Sequence, residues 1–132
     1  MIPYAAQFDP PAVLVHVTVA GVVRNRPRIE VPGLIDTGAD ITAIPQPLAE
    51  QLKLYPIGRL QLEDASAKKT QVFTYPAMMT VTEEPVTQME VILTPFPFAI
   101  LGRDWLRHYY LFLDGPGERF QLSKKPLHLR ET

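Results

Sequence analysis

The sequence has no cysteine, which removes disulfides, thiol nucleophiles and thiolate metal sites together. Serine is scarce as well: only Ser66 and Ser123 occur, and neither lies in a strand-turn-helix nucleophile elbow. Covalent acyl-enzyme chemistry therefore has little to work with. The histidines His16, His108 and His128 are far apart and show no ligand spacing such as His-Glu-x-x-His, so no metal is expected. No glycine pattern matches a phosphate-binding loop or a dinucleotide fingerprint, so no cofactor is expected. An excess of one charge is also missing. The net charge is −1, and the basic residues Arg24, Arg26, Arg28, Lys68, Lys69, Lys124 and Lys125 form short, scattered groups. They read as solvated surface rather than a nucleic-acid-binding face. The longest apolar run, Ala12 to Val23, is too short to span a membrane and contains His16. It lacks the basic leader and cleavage site of a signal peptide. A soluble, cytoplasmic protein without nucleic-acid or membrane partners is expected.

What is present points to short strands. Hydrophobic residues make up 46% and charged residues 20% of the chain, a globular balance. A chain of 132 residues has room for one core and buries roughly two-thirds of the surface it exposes when unfolded. No repeat or long linker divides it, so residues 1–132 are expected to form one domain. The 14 prolines are spread along the chain and break it into short elements. Val13, Val15, Val17 and Val19 alternate with Leu14, His16 and Thr18, the period of a half-buried strand. After a turn region from Gly21 to Pro27, strands are expected at 28–36, 59–63, 70–75, 77–82, 88–94, 98–101, 109–113 and 118–122. The second and third of these form a hairpin with its tip at 64–69, while Glu83 and Glu84 read as a solvated loop and Gly115-Pro116-Gly117 as a turn. Short helices are expected at 47–54, where Pro47 suits a first turn, and at 103–108. The class is all-β.

One segment carries unusual chemistry. In Gly33-Leu34-Ile35-Asp36-Thr37-Gly38-Ala39-Asp40 an apolar strand runs directly into a carboxylic acid. A carboxylate beside a buried core loses solvation and must be compensated, which suits such a group to proton transfer. Gly38 then permits a turn that a side chain would obstruct. An aspartate can also simply open a turn by bonding its own backbone, and the tripeptide alone does not separate these roles.

Two segments together resemble the retropepsin family, the retroviral proteases and their single-domain cellular relatives. Leu34-Ile35-Asp36-Thr37-Gly38-Ala39-Asp40 is similar to the family's hydrophobic-hydrophobic-Asp-Thr-Gly-Ala-Asp signature. Ile100-Leu101-Gly102-Arg103-Asp104 is similar to its hydrophobic-hydrophobic-Gly-Arg-(Asn/Asp) signature. Order and separation also fit, and the resemblance covers Val13 to Leu122.

The resemblance implies a closed, barrel-like β lobe with one or two short helices, active as a two-fold homodimer that cleaves polypeptides. Asp36, Thr37 and Gly38 would form the catalytic turn, one Asp36 from each subunit making the dyad and Thr37 bonding across the dimer. Ala39 and Asp40 would bind substrate backbone with Gly38, and Ala65 and Ser66 would do so from the flap tip. Phe98 and Ile100 would wall the side-chain pockets, although Phe96 and Phe98 suit a core equally well. Gly102 and Arg103 would brace the loop, Arg103 by pairing with Asp40.

One departure stands out. Viral flaps are glycine-rich, yet no glycine lies between Gly58 and Gly102. A weakly active or inactive peptide-binding module of the same fold is therefore the alternative.

Overall fold

The computed structural model describes residues 1–23, 27–81 and 86–127. Arg24, Arg26, the Glu83-Glu84 loop and His128 lie outside the described residues.

The alternating valines build β2 (Leu14–Ala20), where Val15, Val17 and Val19 are buried and His16 is exposed. It pairs antiparallel with β3 (Arg28–Ile35). A short strand β4 (Ala43–Pro45) leads into α1 (Gln46–Gln51), with a proline in its first turn and Leu48 buried. The hairpin follows as β5 (Gly58–Glu63) and β6 (Lys69–Val81), then β7 (Thr87–Thr94) and β8 (Ala99–Leu101). Helix α2 (Arg103–Leu106) precedes the hairpin β9 (Tyr110–Asp114) and β10 (Arg119–Ser123), to which β1 (Ile2–Pro3) adds.

The main sheet has the order β2-β3-β8-β4-β7-β6-β5, and β2 also pairs with β6. That extra ladder, from Val17–Val81 to Ala20–Met78, closes six strands into a ring and leaves β5 hanging from β6 as a projecting arm. Inside the ring Val17, Val19, Ile44, Ala77, Met79, Val91, Ala99 and Leu101 pack as one core. Trp105 is 1% exposed and pins α2 against that core, with its ring 4.2 Å from Tyr109. Truncating a buried tryptophan of this kind costs about 3–5 kcal/mol.

Two of the elements that differ from expectation do so for identifiable reasons. The strands expected at 70–75 and 77–82 are one strand of 13 residues, running through Pro76. Proline is accommodated there because β5 pairing ends at Thr74 and β2 pairing begins at Met78, so β6 has a neighbour on one side only. Pro32 in β3 sits at a similar handover, opposite His16 but before the β8 ladder starts at Gly33. Strand β4 had no expected counterpart, because three apolar residues show no period.

Candidate active site

The floor of the site forms where two distant segments become neighbours. Strands β3 and β8 run parallel with Leu34 beside Ile100 and Ile35 beside Leu101. The register continues one step further, since the Asp36 amide donates to the Leu101 carbonyl at 3.0 Å. Asp36 thus leaves the sheet half-buried, at the head of a tight turn. Its Oδ1 accepts the Gly38 amide at 2.9 Å, and its carbonyl accepts the Ala39 amide at 3.2 Å. The aspartate therefore does open its own turn, but that bond uses one carboxylate oxygen. Among the described residues no donor reaches Oδ2, and Asp36 lines an open cleft.

Behind the turn, α2 supplies a brace. The Arg103 amide donates to the Ala39 carbonyl at 2.8 Å. The Arg103 guanidinium donates through Nη1 to the Thr37 carbonyl at 2.6 Å and through Nη2 to the Asp40 carboxylate. Next to it, the Asp104 carboxylate accepts the Thr42 hydroxyl at 2.7 Å, the Thr42 amide at 3.1 Å and the Trp105 amide at 2.8 Å. The fully buried Thr42 then accepts the Gly102 amide at 3.1 Å. Gly102 must be glycine, because a Cβ there would lie 2.9 Å from the Ala39 carbonyl oxygen and from the Ile41 carbonyl carbon. Apart from the bond within α2 from the Trp105 amide to Asp104, these contacts span sixty or more residues of sequence, so the loop is fixed by the fold rather than by its own composition.

The cleft has a volume of about 540 Å³. Its floor is Asp36, Gly38, Ala39 and Asp40, one wall is Ile92 to Pro95 with Ile100, and its roof is the β5–β6 hairpin. Register places Leu62 opposite Thr70 and Leu60 opposite Val72 on one face of that hairpin; Leu62, Thr70 and Val72 line the cleft. The opposite face carries Arg59 against Phe73, with the guanidinium 5.3 Å from the ring centroid; Glu63, opposite Lys69 at the end of the ladder, still lines the cleft.

The hairpin tip is an ordered turn despite its lack of glycine. Asp64 Oδ1 accepts the Ser66 amide at 2.9 Å, the Ser66 hydroxyl at 2.8 Å and the Lys68 amide at 3.0 Å. Ala67 occupies the left-handed region with φ 63°, the conformation that glycine most readily supplies. The Ser66 hydroxyl first, then the Lys68 amide, hold the Asp64 carboxyl below its ordinary range against an opposing effect of desolvation, with the Ser66 amide adding least.

The cleft gathers Asp36, Gly38, Ala39, Asp40 and Ile100 from the expected site residues. Thr37 is exposed beside it; Gly102 and Arg103 lie behind the floor. Ala65 and Ser66 lie at the exposed tip, with the Ser66 amide and hydroxyl both engaged by Asp64, and neither residue lines the cleft. Phe98 also lies outside the lining, stacked on Phe96 at 5.3 Å and edge-on to Phe8 at 5.5 Å. Sequence reasoning missed Thr42 as the link between Gly102 and Asp104. It also missed the cleft-facing set Leu62, Thr70 and Val72, which period-two alternation exposes once the hairpin register is known.

Solved structures share the fold of this chain. The structure is similar to the simian foamy virus (mac) protease, with a TM-score of 0.55 and 18% identity over 72% of this chain and 92% of that one. It is similar to a retropepsin-like aspartic protease from Rickettsia conorii, with a TM-score of 0.51 and 17% identity over 86% and 83% of the two chains. The foamy viral protease-reverse transcriptase matches at TM-score 0.56 and 22% identity over 91% of this chain, which spans only 13% of that longer one. At such identities the likeness is one of fold. Among curated proteins none matches the chain in sequence. The retroviral aspartyl protease family itself matches residues 9–113. That span holds the Asp36 turn, the roof hairpin and the Gly102-Arg103-Asp104 brace, and the chain belongs to the retroviral aspartyl protease family.

Proposed function

We propose that the chain is one subunit of a homodimeric aspartic endopeptidase in which two Asp36 side chains, one from each copy, hydrolyse peptide bonds. The observation that carries this is a single braced Asp-Thr-Gly turn whose aspartate lines a cleft and has one carboxylate oxygen engaged by the turn itself. The chemistry needs two carboxylates, and the chain has one such turn, so a two-fold axis beside Asp36 and Thr37 supplies the second. Two carboxyl groups brought face to face cannot both ionise and so share a proton. The charged member takes a proton from a water held between them, the water attacks the scissile carbonyl, and the protonated member polarises that carbonyl. No acyl-enzyme forms.

The substrate is an extended polypeptide. Gly38, Ala39 and Asp40 meet its backbone from the floor, and Ala65 and Ser66 border it from the tip once the roof closes. Ile100, Leu62 and Val72 favour apolar side chains, with Phe98 extending the apolar wall from its stack on Phe96. Arg103 holds the turn from behind through Asp40 and the Thr37 carbonyl. A binding-only module draws its support from the glycine-free tip, and the turn built on Asp64 weakens that support.

The test is cleavage of a peptide library by wild type and Asp36→Asn, with sedimentation of both. Wild type cleaves and sediments as a dimer, whereas Asp36→Asn remains folded and loses at least about a thousandfold in rate. Equal cleavage by the variant, or an active monomer, sinks the assignment.

A further inference from the structure

We propose that Asp64 is a positioning residue for peptide cleavage, its carboxylate shaping the flap tip over the cleft in the place where glycines would otherwise do so. This rests on the peptidase assignment above and concerns a residue that takes no part in the dyad.

The tip has to reverse the chain between Glu63 and Lys69 without a residue that freely adopts positive φ. Two bonds between main-chain groups close it, Asp64 amide to Lys68 carbonyl and Ala67 amide to Asp64 carbonyl, both at 3.0 Å. Those bonds alone would have to hold Ala67 in the left-handed region, which is unfavourable for a residue with a Cβ. Asp64 Oδ1 supplies what is missing, because it gathers the two amides that the reversal turns inward, Ser66 and Lys68, together with the Ser66 hydroxyl. Hydrogen bonds to an ionised acceptor are roughly twice as strong as neutral ones.

The residue also stands where its shape matters to a ligand. Asp64 and Lys68 border the same cleft as Asp36. A tip that loses this turn would present a different edge to the peptide.

The charged groups that face Asp64 are few. Glu63, Lys68 and Lys69 flank it on the hairpin, and Asp36 and Asp40 face it across the cleft. The wall residues Ile92, Leu93, Thr94 and Pro95 are uncharged. The Asp64 carboxyl is held below its ordinary value of 3.8. A depressed value means that the turn keeps its full contribution above that ordinary value. The contribution fades only as the pH drops through the lower, folded value. The tip therefore stays formed across the mildly acidic range.

The experiment compares wild type, Asp64→Ala and Asp64→Asn, where asparagine keeps the accepting oxygen but not the charge. Amide hydrogen exchange at Ser66 and Lys68 is expected to quicken at least tenfold in Asp64→Ala, with the global unfolding midpoint held. Peptide kcat/KM is expected to fall about tenfold, mainly through KM, and to be largely restored in Asp64→Asn. In a pH titration the Ser66 and Lys68 amide resonances of wild type shift with a midpoint below 3.8, and those of Asp64→Asn do not. Unchanged exchange in Asp64→Ala overturns the proposal, and so does faster exchange with unchanged kcat/KM. Should wild type cleave nothing, the peptidase assignment fails by itself. The role of Asp64 is then decided by affinity for a statine-containing peptide, where equal binding by wild type and Asp64→Ala overturns it.

Discussion

Two turns in this molecule are each headed by an aspartate, and they are held in opposite ways. The floor turn at Asp36 has its own Gly38 contact, but most of its restraint comes from Arg103, Gly102 and the Thr42–Asp104 pair, about sixty residues distant. The roof turn at Asp64 is closed by bonds among residues 64 to 68. The floor can loosen only when α2 and the barrel loosen. The roof can open alone, because local openings cost only what they locally disrupt. A rigid base beneath a separable cover is what the proposed peptidase activity would require for a chain to enter and leave.

Substitutions can break or sharpen this contrast, from the largest expected effect to the smallest. Asp104→Ala strips the Thr42 hydroxyl and two amides of their acceptor in a half-buried site. A loss of about 3 kcal/mol is expected, read as a fall in Tm of roughly 10 °C. Gly102→Ala drives a Cβ into the main chain at 2.9 Å, which cannot yield as a side-chain tip would. About 2 kcal/mol should be lost in a denaturant melt, along with peptide cleavage. Arg103→Ala removes a solvent-exposed ion pair worth less than about 1 kcal/mol in stability. Its larger effect is expected on kcat, since the Thr37 carbonyl loses its anchor. Ala67→Gly relieves the left-handed alanine and changes global stability by less than about 1 kcal/mol. The contrast collapses if this tip change shifts the melt as far as Gly102→Ala does.

How much of this was legible in the sequence depended on the range of the contacts. The valines of β2 announce their burial by strict alternation, and the Asp36 turn announces itself by an acid at the end of an apolar strand. The Arg103 and Asp104 segment is equally visible as a motif, and the family resemblance supplies Asp40 as the partner of Arg103, but nothing supplies the partner of Asp104. Thr42 lies in the apolar run Ile41-Thr42-Ala43-Ile44, and nothing local says that its hydroxyl meets a carboxylate 62 residues away. Pro76 misleads in the other direction, since proline argues against a strand interior until the handover from β5 to β2 is known. The tip was more readable than it looked. Asp64-Ala65-Ser66 is a sequence in which an aspartate can cap the amide two residues on, and it does so without glycine.

The unbroken run of β6 has a mechanical consequence. From Lys69 to Thr74 it is part of the roof, and from Met78 to Val81 it is a stave of the barrel against β2. The arm reaches about 20 Å from its root at the usual rise per residue. At that root the Thr74 hydroxyl bonds Glu90 at 2.5 Å, where Gly58 leaves room for the pair. No loop interrupts the strand to serve as a pivot, so the cover flexes like a leaf spring clamped at one end. Bending is confined to the arm, because from Met78 to Val81 the strand is held by the β2 ladder that closes the barrel.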